Sequence, residues 1–316
     1  MDHVRPARRS APYATRHPSR GPPGDATRPT SYPRGVLLRT LLLRLYRLPV
    51  RSVHLTPTDL DLEAHEIEFA AVDGARLRGW FLPAAEVDDG GEHPIVVVMH
   101  GWASASEDLL PAAPAVVGAG LSMLFIDARG HGRSDETDFM SMPRFAEDLS
   151  TAVAWLRERP DVDADRVALV GHSVGAGAAL MVASGDPRIT AVVSIASMAH
   201  PREMIGRSFR RYRAPQMLIR AAVRTIERTI GHRFDDFAPL HTITRITTPV
   251  LVLHGLDDHT VPADDAKRLA DSSPSATLRL VPGADHRSLD GFIPILPEVV
   301  THLHDALTRA AADRDG

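Results

Sequence analysis

VALVGHSVGAG, residues Val167 to Gly177, runs a β-branched apolar stretch into two glycines that flank a serine. Small residues follow at once, so the stretch reads as a strand that turns sharply into a helix. A hydroxyl held between Gly171 and Gly175 on such a turn has a physical consequence. A strained strand-to-helix turn lifts the serine above the sheet, and glycines remove the Cβ atoms that would strike the neighbouring strand and helix. The first N–H groups of the helix lack intrahelical acceptors and can stabilise a developing oxyanion. Gly-x-Ser-x-Gly alone is a weak signal. Its strand–turn–helix setting makes Ser173 a candidate nucleophile.

Working outward, the same form repeats. EIEFAAVDGARLRGWFLP, from Glu66, holds two strand-like runs around Asp73-Gly74, a hairpin signal. PIVVVMHG (Pro94–Gly101) and LSMLFIDARGHG (Leu121–Gly132) are apolar runs ending in glycine-rich turns, as buried parallel strands do. RVALVGHS, ITAVVSIAS, TPVLVLHG and ATLRLVPGADH follow, giving eight strands in all. Helical patterns lie between them over 104–119, 143–159, 175–185, 262–272 and 294–312. Phe145, Leu149, Val153 and Leu156 mark one apolar face of the second, with Pro143 near its start. Alternating strands and helices imply right-handed crossovers and a mostly parallel sheet covered on both faces. The interval 198–245 has no strand-like run and reads as a small helical insertion after the sixth strand.

A serine hydroxyl is a poor nucleophile without a base. Downstream, TPVLVLHGLDDHTVP (Thr248–Pro262) is a strand followed by an acidic turn, and LRLVPGADHRSL (Leu278–Leu289) is a strand whose loop carries His286. Both loops leave the carboxyl ends of strands, as Ser173 does, and the order Ser, Asp, His suits one convergent site. From about residue 64 to 312 the chain resembles the α/β-hydrolase superfamily. The resemblance rests on VVVMHGW, FIDARGHGRS, GHSVG, PVLVLHGLDDHTVP and VPGADH in this order. Within the superfamily it is most similar to dienelactone-hydrolase-like and prolyl-peptidase-like serine hydrolases with a small cap.

That resemblance implies an α/β-hydrolase fold and a catalytic set of Ser173, Asp258 and His286. The family's acid stands four residues before the Pro of VP, which selects Asp258, with Asp257 shaping the turn. It also implies oxyanion donors at the backbone N–H of Val174 and of Trp102, whose indole would wall the acyl pocket. The expected reaction is two-step acyl transfer on a small-molecule carboxylic ester or related acyl compound, with no cofactor and no metal. Peptidase, thioesterase or acyltransferase chemistry on the same site is the nearest alternative. A non-catalytic binding protein of the same fold is the alternative from another class. His100, His131, His172, His254, Asp127 and Arg129 are read as structural, and no His-x-x-x-His pair with a carboxylate suggests a metal.

Composition bounds the rest. The chain has 316 residues, 44% hydrophobic and 24% charged, enough to bury a sizeable core. With no cysteine, disulfides, thiolate metal sites and a Cys nucleophile are excluded, which agrees with a cytoplasmic setting. The net charge of −4 conceals a balance of +9 over residues 1–51 and −13 over the remainder. Lys267 is the single lysine, and the other 35 cations are arginine, a genome-wide bias more than a recognition signal.

Residues 1–35 are rich in Pro, Arg, Ser and Gly and read as disordered. Residues 36–63 read as an amphipathic basic helix, strongest over 36–48, and a linker; 64–316 form the hydrolase domain. The 36–48 helix is too short and too charged to span a bilayer. It docks on the domain or lies on a membrane or partner surface. No nucleic-acid recognition motif accompanies the basic N-terminus. Within the insertion, residues 200–233 carry nine arginines, among them Arg202, Arg207, Arg220 and Arg224, against Glu203 and Glu227. It is either an electropositive cap that draws in anionic substrates or a solvated helix surface.

Overall fold

The structure is a computed structural model that describes residues 54–84, 93–211, 213–287 and 289–315. The expected disordered segment 1–35 and basic helix 36–48 lie outside the described residues. Eight strands form one sheet: β1 (His65–Ala70), β2 (Arg76–Leu82), β3 (His93–Met99), β4 (Ser122–Asp127), β5 (Val162–His172), β6 (Ile189–Ile195), β7 (Val250–Gly255) and β8 (Ala276–Val281). Their order is β1-β2-β4-β3-β5-β6-β7-β8. β1 pairs antiparallel with β2, and β2 with β4; every pair from β4 onward is parallel.

The burial of each strand follows from its place. β4, β6 and β7 are buried at every residue, so their apolar runs need no polar alternation. β1 alternates, with Ile67 and Phe69 buried and Glu66 and Glu68 exposed. Gly74, at φ 87°, closes the hairpin between β1 and β2 where Asp73-Gly74 predicts it.

Helices cover both faces. α1 (Ala113–Val117) and α9 (Leu296–Asp315) pack on one side, through Val116, Leu303 and Leu307 against Val96 and Val98. α2 (Met142–Leu156), α3 (Val174–Gly185) and α8 (Ala263–Asp271) pack on the other, against Val97 and Leu169. α2 begins where Ser141 caps it by accepting from the Arg144 N–H at 3.4 Å, with Pro143 in its first turn. Its buried Phe145, Leu149 and Leu156 are each worth about 1.5–3 kcal/mol in apolar burial.

The expected helix over 104–119 is a different element. A 3-10 helix occupies Ser106–Ala112 and passes into the short α1, which ends at Gly118. Pro111 and Pro114 each lack an N–H, so a continuous α-helical ladder cannot form across them. Between β6 and β7 lie α4 (Pro201–Arg211), α5 (Gln216–Ile230), α6 (Phe234–Phe237) and α7 (Pro239–Thr242), with no strand among the described residues. Before β1, a 3-10 turn at Pro57–Leu60 lets Leu55, Leu60 and Leu62 rest against the α1/α9 side of the core.

Candidate active site

β5 ends at His172, and α3 starts at Val174. Ser173 stands between them at φ 54° and ψ −116°, a conformation that costs a non-glycine residue energy and that the flanking packing must hold. The packing is tight enough to do so. A Cβ on Gly171 would lie 2.3 Å from the Gly175 carbonyl oxygen, and one on Gly175 would lie 2.3 Å from the His100 oxygen and 2.4 Å from the Met99 oxygen. The obstacles are backbone atoms of α3 and of the end of β3, so they cannot swing aside. Gly175→Ala is therefore expected to destabilise the protein by about 3 kcal/mol or more. Urea denaturation measures this, and a midpoint equal to that of the parent protein would contradict it.

Ser173, His286 and Asp258, which arrive on three separate loops, come together at the carboxyl edge of the sheet. Ser173 Oγ is 3.0 Å from His286 Nε2, and His286 Nδ1 is 2.7 Å from Asp258 Oδ2. The other carboxylate oxygen, Oδ1, accepts from the N–H groups of Thr260 and Val261, both at 2.8 Å. Burial works to raise the Asp258 pKa, but the hydrogen bond from His286 and the two backbone N–H groups outweigh it and hold the carboxyl below its usual range. The aspartate stays ionised and fixes the proton on His286 Nδ1, leaving Nε2 free to accept from the serine. Asp257 is exposed, and its N–H donates to the Ala284 carbonyl at 3.0 Å.

A second imidazole reaches Asp258. His254, fully buried at the end of β7, donates from Nε2 to the Val261 carbonyl at 2.9 Å and lies 3.4 Å from Asp258 Oδ2. Its HG dipeptide gave no local sign of this contact, which depends on the path of the loop between β7 and α8. His172, expected as a packed elbow residue, lies with its ring 5.2 Å from that of His286.

The loop carrying Trp102 is held by two more buried histidines. His100 accepts from the Ala128 N–H at 3.0 Å, and His131 accepts from the Ala103 N–H at 3.3 Å. Their rings sit 4.9 Å apart and both pack on Phe145. Asp127 secures the adjoining loop by accepting from Ser106 N–H and Arg133 N–H at 2.8 and 3.0 Å. Arg129, 2% exposed, is bound by Asp73, Glu147 and Asp148. The structural readings of these residues agree with their contacts.

Burial, followed by the neighbouring His100, lowers the His131 pKa to about 3. Burial, followed by His286, lowers that of His172 to about 4, and burial lowers that of His100 as well. Unfolding restores the ordinary value near 6.5, so below that pH the unfolded chain binds more protons than the folded one. The stability that these three histidines contribute is therefore complete above pH 6.5 and is lost as the pH drops towards 4. His172 alone accounts for roughly 3 kcal/mol of that loss. Urea midpoints at pH 7.5 and 4.5, compared between the parent and His172→Gln, measure it; an equal pH-dependence in the two would contradict a neutral buried His172.

One other cluster has metal-ligand types. Among the described residues His200, Asp235 and His241 bring ligand atoms within 4.8 Å of one another. Their hydrogen bonds make a different object. The Arg202 N–H donates to His200 Nδ1 at 3.2 Å, which puts the ring proton on Nε2, facing Asp235 Oδ1 at 3.0 Å. Arg202 itself takes the other carboxylate oxygen at 3.3 Å. The trio is a clamp between the start of α4 and α6.

Ser173 opens on a cavity of about 740 Å³, walled by Trp102, Phe139, Met142 and Val174 and roofed by residues of α4 and α5. The roof residues were not singled out from the sequence, although apolar spacing of three and four across 204–230 carries the signal.

Known proteins place this arrangement. A family model described as Hydrolase_4, serine aminopeptidase S33, matches residues 91–236. The uncharacterized protein Rv2307c of Mycobacterium tuberculosis is 31% identical over 223 residues, covering 69% of this chain and 72% of that protein. The chain belongs to the α/β-hydrolase family. The hydrolase is also 33% identical over 140 residues to the thiohydrolase apmlB of Arthrinium phaeospermum, 42% of each chain. Among solved structures, the hydrolase fold is similar to that of the Pyrococcus furiosus esterase Pf2001, with a TM-score of 0.62 and 21% identity. That likeness covers 83% of this chain and 97% of the esterase. Among its described residues the hydrolase has no helix long and apolar enough to cross a membrane.

Proposed function

We propose that this hydrolase cleaves small-molecule carboxylic esters by acyl transfer through Ser173, His286 and Asp258. The observation that carries the reading is the continuous relay from Asp258 Oδ2 to His286 Nδ1 at 2.7 Å and from His286 Nε2 to Ser173 Oγ at 3.0 Å. As Ser173 Oγ attacks the ester carbonyl, His286 Nε2 takes its proton, and Asp258 stabilises the imidazolium. The tetrahedral oxyanion is received by the N–H groups of Val174 and Trp102, the first at the N-terminus of α3. Collapse expels the alkoxide, protonated by His286, and leaves an acyl-enzyme. Water, deprotonated by His286, adds to the acyl carbonyl; its collapse returns Ser173 and releases the acid. No step calls on a cofactor. The helices between β6 and β7 serve as the cap of this site.

An ester suits the cavity better than a peptide with a free amino terminus. Such a peptide needs a carboxylate to hold its ammonium, and the carboxylate on the cavity wall, Asp108, already accepts from Ser104 Oγ. A thioester is the second reading, favoured by the similarity to a thiohydrolase. Both share the acyl-enzyme, so an active-site probe tests the common ground. A fluorophosphonate should label the purified protein, and Ser173→Ala should abolish labelling. Well-folded parent protein that takes no label would overturn the reading.

A further inference from the structure

We infer that the cavity roofed by α4 and α5 selects an extended, uncharged apolar acyl chain, and that Arg202, Arg207, Arg220, Arg224 and Arg228 of this insertion take no part in substrate binding. The inference rests on the acyl-transfer reading above and names its substrate class.

The two helices are amphipathic, and their faces are turned in a definite way. Met204, Ile205 and Ser208 of α4 and Ile226, Thr229 and Ile230 of α5 face the cavity above Ser173. Each set follows the three-and-four spacing of one helical face. The helix pair also borders a separate hollow, where Ile219 and Val223 stand with Arg202, Glu203, Arg220 and Arg224. The charges of the two helices are matched to other groups or to solvent. Arg202 bonds Glu227 at 3.0 Å, Arg207 bonds Asp265 at 2.8 Å, and Arg220, Arg224 and Arg228 are exposed. No arginine of the insertion lines the 740 Å³ cavity among the described residues.

The remaining wall is apolar and deformable. Met140, Met142 and Met198 join Met204, and thioether chains adapt to ligands of varied shape. The formal charges on the wall, Asp108 and Arg287, are one of each sign, so they create no net attraction for an anion. Burying a carboxylate among Met, Ile and Phe side chains without a cation is costly. The cavity volume lies within the range that encloses a drug-sized ligand, far beyond what an acetyl group fills. His286 must protonate the departing alkoxide, so the leaving group lies on its side, beside Thr260 and the exposed Arg287. The apolar roof then receives the acyl chain.

The test uses p-nitrophenyl esters from acetate to decanoate, together with the ester of suberic acid that keeps one free carboxylate, on purified full-length protein. Fluorophosphonate labelling is measured in parallel. We expect kcat/KM to rise about four-fold per added methylene from acetate to octanoate. The ω-carboxylate ester should be cleaved at least ten-fold more slowly than octanoate. Ile226→Phe, which fills the roof, should lower the octanoate-to-acetate ratio about ten-fold, and Met204→Ala, which enlarges it, should move the optimum to longer chains. The double change Arg220→Ala with Arg224→Ala should leave that ratio within two-fold of the parent. A profile that is flat or falls from acetate, or a preference for the ω-carboxylate ester that the double change removes, overturns the inference while labelling stays intact. Absence of labelling overturns it together with the acyl-transfer reading.

Discussion

Ser173→Ala should reduce kcat on an activated ester by about 10⁵-fold or more while leaving the protein folded. The side chain loses one oxygen, and alanine has the same Cβ and meets the same positive φ that serine already tolerates. The packing around the turn, set by Gly171, Gly175 and Gly101, is untouched. What disappears is the atom that attacks and the donor to His286 Nε2. A small residual rate would come from the proposed oxyanion donors and from substrate binding, which survive the change. Burst-phase kinetics and far-UV dichroism on the same preparation separate lost chemistry from lost fold. A folded variant with activity within a hundred-fold of the parent would exclude Ser173 as the nucleophile.

Asp258→Asn should lower kcat by about 10⁴-fold, while Asp257→Asn should change it by less than about three-fold. The amide introduced by Asp258→Asn could keep its carbonyl oxygen towards the Thr260 and Val261 N–H groups, which favours a single orientation. Its NH₂ would then face His286 and drive the imidazole proton from Nδ1 to Nε2. That tautomer can no longer accept from Ser173 Oγ. Asp257 is exposed and reaches the turn through its backbone N–H, a contact that the Asp257→Asn variant retains. Because His286 bonds and backbone N–H groups hold the Asp258 carboxyl below its usual range, no activity limb near pH 4–5 should belong to it. The parent and the paired variants, measured as kcat and KM over about pH 4–9, check both claims. Equal losses in the two would move the acid away from Asp258.

Much of this site was legible because its signals are local. Gly171, Ser173 and Gly175 announce a turn through their own lack or presence of a Cβ, and the apolar runs of β3 to β7 announce strands buried on both faces. The acid was readable to within one residue from the turn LDDHTVP, and the base from GADH. The 3-10 helix at Ser106–Ala112 stands where apolar spacing predicts an α-helix, because Pro111 and Pro114 cannot donate to an α-helical ladder. The place of β4 between β2 and β3 carries no local signal, since strand order depends on which crossover packs against which face.

The arginines of the insertion show where sequence stops. Nine in 34 residues suggest an electropositive cap, and counting them says nothing about the side on which they stand. The direction is set when Met204, Ile205, Ile226 and Ile230, each half-buried, pack against the apolar core beside the cavity. Likewise, nothing near His254 in the chain shows that its ring approaches Asp258 Oδ2. By itself the sequence determined the elbow, the alternation of strands and helices, and the residue types able to perform acyl transfer, because these rest on bond geometry and spacing along the chain. Tertiary structure decided the strand order, the convergence of Ser173, His286 and Asp258, and the apolar face offered to substrate, because each depends on contacts between residues tens of positions apart.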